Sequence, residues 1–282
     1  MAVGAAGRVL EAVLPADDAL PLWSVLDAIA AGDIRPHYQP VVALRAGKLI
    51  GVEALARWCI DDGDGDLVLP ATAFVPLLED ARRVTDLTAF VLDQACADLA
   101  WWRKDFSLCP EFRVAVNVSA TELVDRRLVG LVRESLDCHG IEPSSLCLEV
   151  TETAEIGDFD VASSVLAELA HDVGVRLAVD DYGTGFATGR YLSAFPFDIV
   201  KIDQCFVAGL GQRDCDTQFV RHTIDYAADH DLGVVAEGIE TAGQARALVE
   251  FGCDVGQGFG IGLPCPAADV LAPWVGASLA TV

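Results

Sequence analysis

Apolar and polar positions repeat along this chain with two different periods. Short apolar, strand-like runs recur at about 37–44, 48–57, 112–118, 145–150, 175–180, 197–202, 233–237 and 253–257. Between most of them, apolar residues return every three or four positions, the spacing of one helix face. The clearest such stretches are Thr85–Lys104, Leu123–His139, Phe159–Val173, Asp214–His230 and Thr241–Phe251, with a shorter one over 21–31 that ends at Gly32. The first two strands are joined only by Arg45-Ala46-Gly47-Lys48. That link is too short for a parallel crossover, so the pair is expected to be antiparallel. The other strands alternate with helices, which implies a parallel sheet. Eight strands in about 240 residues predict an α/β fold, a (β/α)8 TIM-like barrel with an antiparallel first strand. A doubly wound open sheet is the alternative. Residues 1–20 are Ala-rich and poorly patterned and are expected to form a short N-terminal extension, leaving 21–282 for the barrel domain.

Composition narrows the function. Of 282 residues, 52% are hydrophobic, enough to bury a large core and to exclude a disordered chain. The 19 basic and 43 acidic residues give a formal charge of −24, which argues against bulk nucleic-acid or anionic-membrane binding but leaves room for one small anion held by metals. Nine cysteines with no Cys-x-x-Cys pair read as buried free thiols in a reducing compartment rather than as zinc ligands. Glu11, Asp17 and Asp18 interrupt any signal-peptide core. No apolar run approaches the ~20 residues that span a bilayer. The expectation is a soluble, cytoplasmic protein.

The charged residues change the picture further, because strand C-termini of a barrel converge on one mouth. The third strand ends at Asn117, the fourth carries Glu149, and the fifth ends at Asp180-Asp181. Lys201 and Asp203 share a face of the sixth, the seventh ends at Glu237, and the eighth at Gln257. Glu53, Leu55 and Arg57 share a face of the second strand. Carboxylates inside runs such as Leu-Cys-Leu-Glu are costly to bury unpaired. A single one would read as a structural ion pair, but five from four strands do not. Clusters rich in oxygen suit Mg²⁺ or Mn²⁺. The adjacent Asp180-Asp181 could serve two ions about 3.5–4 Å apart, an arrangement that assists displacement at phosphorus.

At these residues the sequence resembles the EAL-domain family of cyclic di-GMP phosphodiesterases. Tyr38-Gln39-Pro40, Glu53-Ala54-Leu55, Asn117-Val118-Ser119, Leu148-Glu149-Val150-Thr151-Glu152, Asp180-Asp181-Tyr182-Gly183-Thr184-Gly185, Lys201-Ile202-Asp203, Ala236-Glu237-Gly238-Ile239-Glu240-Thr241 and Gln257-Gly258-Phe259 follow in the family's order, over roughly 22–273. The resemblance implies a barrel with an antiparallel first strand and hydrolysis of one phosphodiester of cyclic di-GMP to linear pGpG. It implies that Glu53, Asn117, Glu149 and Asp180 hold a first metal and that Asp180, Asp181 and Glu237 reach a second, both Mg²⁺ or Mn²⁺. Glu53, Lys201 and Glu237 are then the catalytic group, with Lys201 orienting or helping to deprotonate the attacking water. Gln39, Leu55 and Arg57 would bind substrate, Arg57 through a phosphate. Gln257 would lie at the water and metal site, Glu152 would hold the loop Asp181–Gly185, and Asp203 and Glu240 would support the site. A homodimer is also implied; separately, the chain leaves no room for a second sensory or cyclase domain, so regulation is expected from expression, oligomeric state, metal or a partner protein.

Other features have plainer readings. Asp61-Asp62-Gly63-Asp64-Gly65-Asp66 lacks calcium-loop spacing, with Leu67 and Ala73 at positions six and twelve counted from Asp62, and reads as a solvated acidic turn. His37, His139, His171, His222 and His230 have no ligand spacing, and Trp101-Trp102 reads as core and rim packing. Gly183 and Gly185 fit a mobile loop beside the metals better than a phosphate cradle. Four departures from the family stand out: Tyr182 and Phe186 exchanged, Ala187-Thr188 for two serines, Arg82 at a common glycine, and a light Gly260-Ile261-Gly262 expected to loosen one pocket wall. Two other functions compete with the enzyme: a receptor that holds the dinucleotide uncut, and an interaction protein that uses only the barrel surface.

Overall fold

The computed structural model describes residues 20–61, 66–151, 157–185, 192 and 194–274. Helix α1 (Leu22–Ala31) leads into β1 (Ile34–Ala43) and β2 (Lys48–Asp61), then the short β3 (Asp66–Pro70) and α2 (Val75–Asp80). The rest alternates: α3 (Val84–Asp105), β4 (Arg113–Val118), α4 (Arg127–His139), β5 (Leu146–Thr151), α5 (Phe159–Ala167), β6 (Arg176–Tyr182) and β7 (Ile199–Ile202). It closes with α6 (Gln204–Ala208), α7 (Asp214–Asp229), β8 (Gly233–Ala236), α8 (Ala242–Phe251) and β9 (Val255–Gly256).

The strands close into a ring. β2, β4, β5, β6, β7, β8 and β9 pair in parallel succession, and β1 joins both ends of the series, antiparallel to β2 and to β9. The antiparallel first strand and the eight-strand barrel are therefore present, and closure through β1 excludes the open sheet. β3 stands outside the ring, paired antiparallel to the far half of β2 as far as Asp61↔Asp66. The acidic turn thus belongs to a β2–β3 hairpin, whose tip lies outside the described residues. β2 also runs four residues past its expected end at Arg57. The expected helix over Phe159–Val173 is two pieces, α5 and a π-helical turn over Glu168–Val173 that ends on the left-handed Gly174.

Alternation explains the core. Along β4–β7 the outward positions are Val, Leu and Ile, among them Val116, Leu148, Val179 and Val200, buried beneath the surrounding helices. Helix α3 crosses behind β1, where the fully buried Trp102 meets Tyr38 edge-on at a ring separation of 4.8 Å, while Trp101 stays partly exposed. The Tyr38 hydroxyl, buried with it, donates to Asp98 Oδ2 at 2.5 Å.

Candidate active site

The inner face of β4–β7 carries two layers. The lower layer is small and apolar: Ala115, Cys147 and Ala178, packed with Ile199. Two residues further along each strand stand Asn117, Glu149, Asp180 and Lys201. Period two places each pair on the same face, and small side chains below leave room for charged ones above. Glu53 joins them from β2, in register with Gln39 on β1 and Ala115 on β4. Glu237 and Gln257 follow β8 and β9 directly and extend the ladder, Glu237 N–H to Ile202 O at 3.1 Å and Gln257 N–H to Ala236 O at 2.9 Å.

Lys201 is the hub. Its Nζ lies 2.7 Å from Glu149 Oε2, 2.8 Å from Glu237 Oε1, 2.9 Å from Asp180 Oδ1 and 3.5 Å from Glu53 Oε2. Asn117 Nδ2 donates to Glu53 Oε1 at 2.8 Å, and Gln257 Nε2 donates to Glu53 Oε2 at 2.6 Å and to Glu237 Oε1 at 2.9 Å. Glu53, Glu149, Asp180, Lys201 and Gln257 are all buried. After Asp180 the chain turns sharply. Asp181 takes a left-handed φ of +53°, and its N–H donates to Asp180 Oδ1 at 3.0 Å. A non-glycine residue in that conformation costs roughly 1 kcal/mol, the kind of strain that collects at functional sites.

The charges do not balance. Four carboxylates ring one ammonium, a formal −3 that becomes −4 with Asp181. Burial favours a neutral lysine, but Asp180, Glu149, Glu237 and Glu53 together outweigh it and hold the Lys201 ammonium well above its ordinary range. The carboxylates respond unequally. Burial, with repulsion from Glu53 and Asp180, pushes Glu149 well above the usual carboxylate range against the pull of Lys201. Burial and Asp180 push Glu237 up to about 8, and burial, Asp180 and Asp203 push Asp181 up to about 6. Burial would raise Glu53 as well, yet Lys201, Gln257 and Asn117 hold it below its ordinary value. A site that must protonate its own carboxylates lacks positive charge.

The donor set fits divalent cations. Glu53, Glu149 and Asp180 each bring an oxygen within 4.8 Å of the others, and so do Asp180, Asp181 and Glu237. Asp180 belongs to both groups. Every ligand atom is oxygen, the donor preferred by Mg²⁺ and Mn²⁺.

Above this layer opens a cleft of about 610 Å³, within the range of small-molecule sites. Gln39, Leu55, Asn117, Asp181, Glu240 and Gln257 are on its walls, so these expected residues converge. Gln39 Nε2 donates to Gly262 O at 3.2 Å. Arg57 stands just outside the lining, its Nη1 donating to Ala56 O at 3.0 Å. Asp203 caps α6, accepting from Cys205 N–H at 2.9 Å, and acts on the site through its charge on Asp181. Glu152 lies outside the described residues, as do Phe186, Ala187 and Thr188. No histidine lines the cleft.

The sequence missed one wall. The turn after β3, helix α2 and the start of α3 bring Thr72, Pro76, Glu79, Leu87 and Thr88 to the cleft. Behind it, Glu122 is buried and accepts from Thr88 Oγ1 at 2.8 Å and from Ser119 N–H at 3.1 Å, while Ser119 Oγ donates to Glu79 Oε1 at 2.7 Å. Only Ser119 carried a signal, as a neighbour of the strand-end Asn117. The opposite wall is not loose. A Cβ at Gly258, Gly260 or Gly262 would lie 2.1 Å from Ile239 N, 2.4 Å from Glu240 O or 2.5 Å from Pro40 Cγ. The alternating glycines let this segment lie directly on its neighbours, and Phe259 projects from it at the cleft rim, 60% exposed.

Fold and site together define a closed barrel whose strand ends gather a buried carboxylate cluster around Lys201 beneath a cleft. The EAL-domain family model matches residues 24–264, and the chain belongs to that family. MucR of Pseudomonas aeruginosa, a bifunctional diguanylate cyclase/cyclic di-GMP phosphodiesterase, is 38% identical over 236 residues, 84% of this chain and 34% of MucR. A solved structure of the PaMucR phosphodiesterase in complex with c-di-GMP superposes with a TM-score of 0.81 at 35% identity, covering 89% of this chain and all of that one. The EAL domain of Mycobacterium smegmatis DcpA gives 0.71 at 31% identity over 86% of this chain and 96% of its own. The chain spans about a third of the length of the curated relatives it matches.

Proposed function

We propose that this chain hydrolyses one phosphodiester bond of cyclic di-GMP to linear pGpG with two divalent cations, Mg²⁺ or Mn²⁺. The observation that carries the reading is the pair of carboxylate triads sharing Asp180, set at the floor of the cleft. Glu53, Asn117, Glu149 and Asp180 would hold one ion, and Asp180, Asp181 and Glu237 the other. Bound there, the ions supply a water of lowered pKa, toward ~7, and positive charge for the phosphoryl oxygens. The protein's own groups do the rest. Lys201, fixed by four carboxylates, orients the attacking water and holds a proton near it. Glu53 and Glu237, tied together by the Gln257 amide, keep the donor oxygens from spreading. Gln39 and Leu55 seat the nucleotide on the cleft wall. Counting Arg57, the site carries −3 without ions, which repels a dianionic substrate; two divalent ions bring it to +1.

Nine cysteines with no Cys-x-x-Cys pair fit a reducing cytoplasm, and no helix among the described residues is long and apolar enough to cross a membrane. Homodimerisation rests on the family resemblance, and regulation by a partner protein is proposed beside it. The test is incubation of purified protein with cyclic di-GMP and Mg²⁺ or Mn²⁺, with products separated by chromatography beside a Glu53→Ala variant and a chelator. Linear pGpG from the wild type alone is the expected result. Binding without cleavage would overturn the enzyme in favour of a receptor, and no binding would leave an interaction protein.

A further inference from the structure

Arg35 and Arg57 are direct cross-strand partners in the antiparallel β1–β2 pair. Partners in such a pair lie on one face with their Cβ atoms about 5 Å apart, where like charges destabilise the sheet. Their face is the inner face of the barrel: the same register runs Arg35↔Arg57, His37↔Leu55 and Gln39↔Glu53, and Glu53 on that face reaches Lys201. The opposite face, with Ile34, Tyr38, Ala54 and Trp58, is buried in the core. Among the described residues, Glu53 favours the Arg57 charge only through space and without an ion pair. No carboxylate there forms an ion pair with either arginine, although the chain has 43 acidic residues. Arg57 meets only the carbonyl of Ala56. His37 registers both charges: burial first, then Arg57 and Arg35, lower its pKa to about 4 and leave it neutral at physiological pH.

We propose that Arg35 and Arg57 form a two-guanidinium subsite for a phosphate group, with Arg35 a binding residue that the EAL motif does not include. Two forked, unpaired guanidiniums suit one phosphate, which can bridge both. Position assigns which phosphate. Arg57 lies four residues beyond Glu53 on the same strand face, about 13–14 Å along the strand at roughly 3.4 Å per residue. The carboxylate triads cannot hold the same group, so the subsite takes the second phosphate of the dinucleotide, the one not being cut. This rests on the function proposed above.

The experiment separates the two claims. Dissociation constants are measured in chelator-free, metal-free buffer for cyclic di-GMP, pGpG and GpG, which all keep the phosphodiester that is not cut, and for guanosine, which has no phosphate. The proteins are wild type, Arg35→Ala and Arg35→Lys, and steady-state kinetics with metal follow. Arg35→Ala should weaken cyclic di-GMP and pGpG roughly tenfold or more, the weight of a charge-assisted contact. It should weaken GpG by a similar factor, leave guanosine unchanged, raise KM more than it lowers kcat, and leave the ligand-free melting temperature equal or higher because a repulsion is gone. Arg35→Lys should recover part of the affinity. Equal affinities in wild type and Arg35→Ala for the three phosphate ligands, or a weakening of guanosine as large as theirs, would overturn the subsite while leaving the enzyme intact. A wild type that neither binds nor cuts cyclic di-GMP would instead overturn the function on which the subsite rests.

Discussion

Lys201 Nζ lies 2.7 Å from Glu149 Oε2, and both side chains are sealed from solvent. Among the described residues, this ammonium is the only cation within the carboxylate cluster. Replacing it by an apolar side chain of similar length strands buried charge. In chelator, Lys201→Met should lose about 3–5 kcal/mol of stability. If divalent ions neutralise the same oxygens, Mg²⁺ or Mn²⁺ should raise the melting temperature of Lys201→Met by more than it raises that of wild type. Calorimetry of both proteins, with and without metal, reads this directly. Equal shifts would show that the ions and Lys201 do not serve one cluster.

The raised carboxyls give the metal-free protein a defined pH dependence. Glu237 stands at about 8 in the folded chain, against an ordinary 4.5, because burial and the neighbouring Asp180 and Glu53 outweigh Lys201. Between those two values the folded state binds more protons than the unfolded one, so stability must fall as pH rises. Asp181, raised to about 6, adds in the same direction over the lower part of the window. The net charge of −24 does so too, and Glu237→Gln separates the contributions. Melting temperatures in chelator should decline from pH 5 to 8, less steeply in Glu237→Gln. Saturating metal should flatten or reverse the decline, since the ions displace those protons. An identical slope in the variant would remove Glu237 as a source.

The site was legible because strand alternation is strict. Cys147 and Glu149, or Ala178 and Asp180, fall on one face whatever the rest of the chain does, so strand-end carboxylates could be placed at one mouth from the pattern alone. The β3–α2 wall was not legible. β3 has five residues, begins at Asp66 and ends in Pro70, and α2 has six, too few for either period to show. Neither the hub role of Lys201 nor the Arg35↔Arg57 pairing could be read without register. The light Gly260-Ile261-Gly262 segment suggested a loose wall, because composition reports missing side chains but not the close backbone approach they allow.

Arg82 is a second case where a departure from the family has a structural consequence. It follows α2 with a left-handed φ of +55° and closes that helix: its N–H reaches Glu79 O at 2.9 Å, and Arg83 N–H reaches Leu78 O at 2.7 Å. That is the helix-ending turn in which glycine is preferred. The Arg82 side chain is exposed, so the backbone penalty is uncompensated by burial. Arg82→Gly should stabilise the protein by about 1 kcal/mol, seen as a higher urea midpoint with an unchanged slope. A lower midpoint would mean that the arginine makes a contact worth more than the strain it imposes.

The turn that aims Asp181 rests on aromatic rings. Phe206 on α6 and Phe219 on α7 stack at 3.9 Å, and Tyr182 lies 6.0 Å from Phe219. Gly183 sits against this stack with φ +104°, and a Cβ there would fall 2.3 Å from Phe219 Cζ and 2.6 Å from Phe206 Cε2. Gly183→Ala must therefore displace the rings or the turn, at a cost of roughly 1–3 kcal/mol. If the turn yields, Asp181 moves away from Asp180 and Glu237, and activity should need several-fold more metal for half-saturation. Phe219→Ala in the same chain makes room for the methyl, so the double variant should lose less stability than the two single changes added together. Urea melts of the four proteins, with metal titrations of activity, measure both effects. Strict additivity, or an unchanged metal requirement in Gly183→Ala, would show that the stack does not set the position of Asp181.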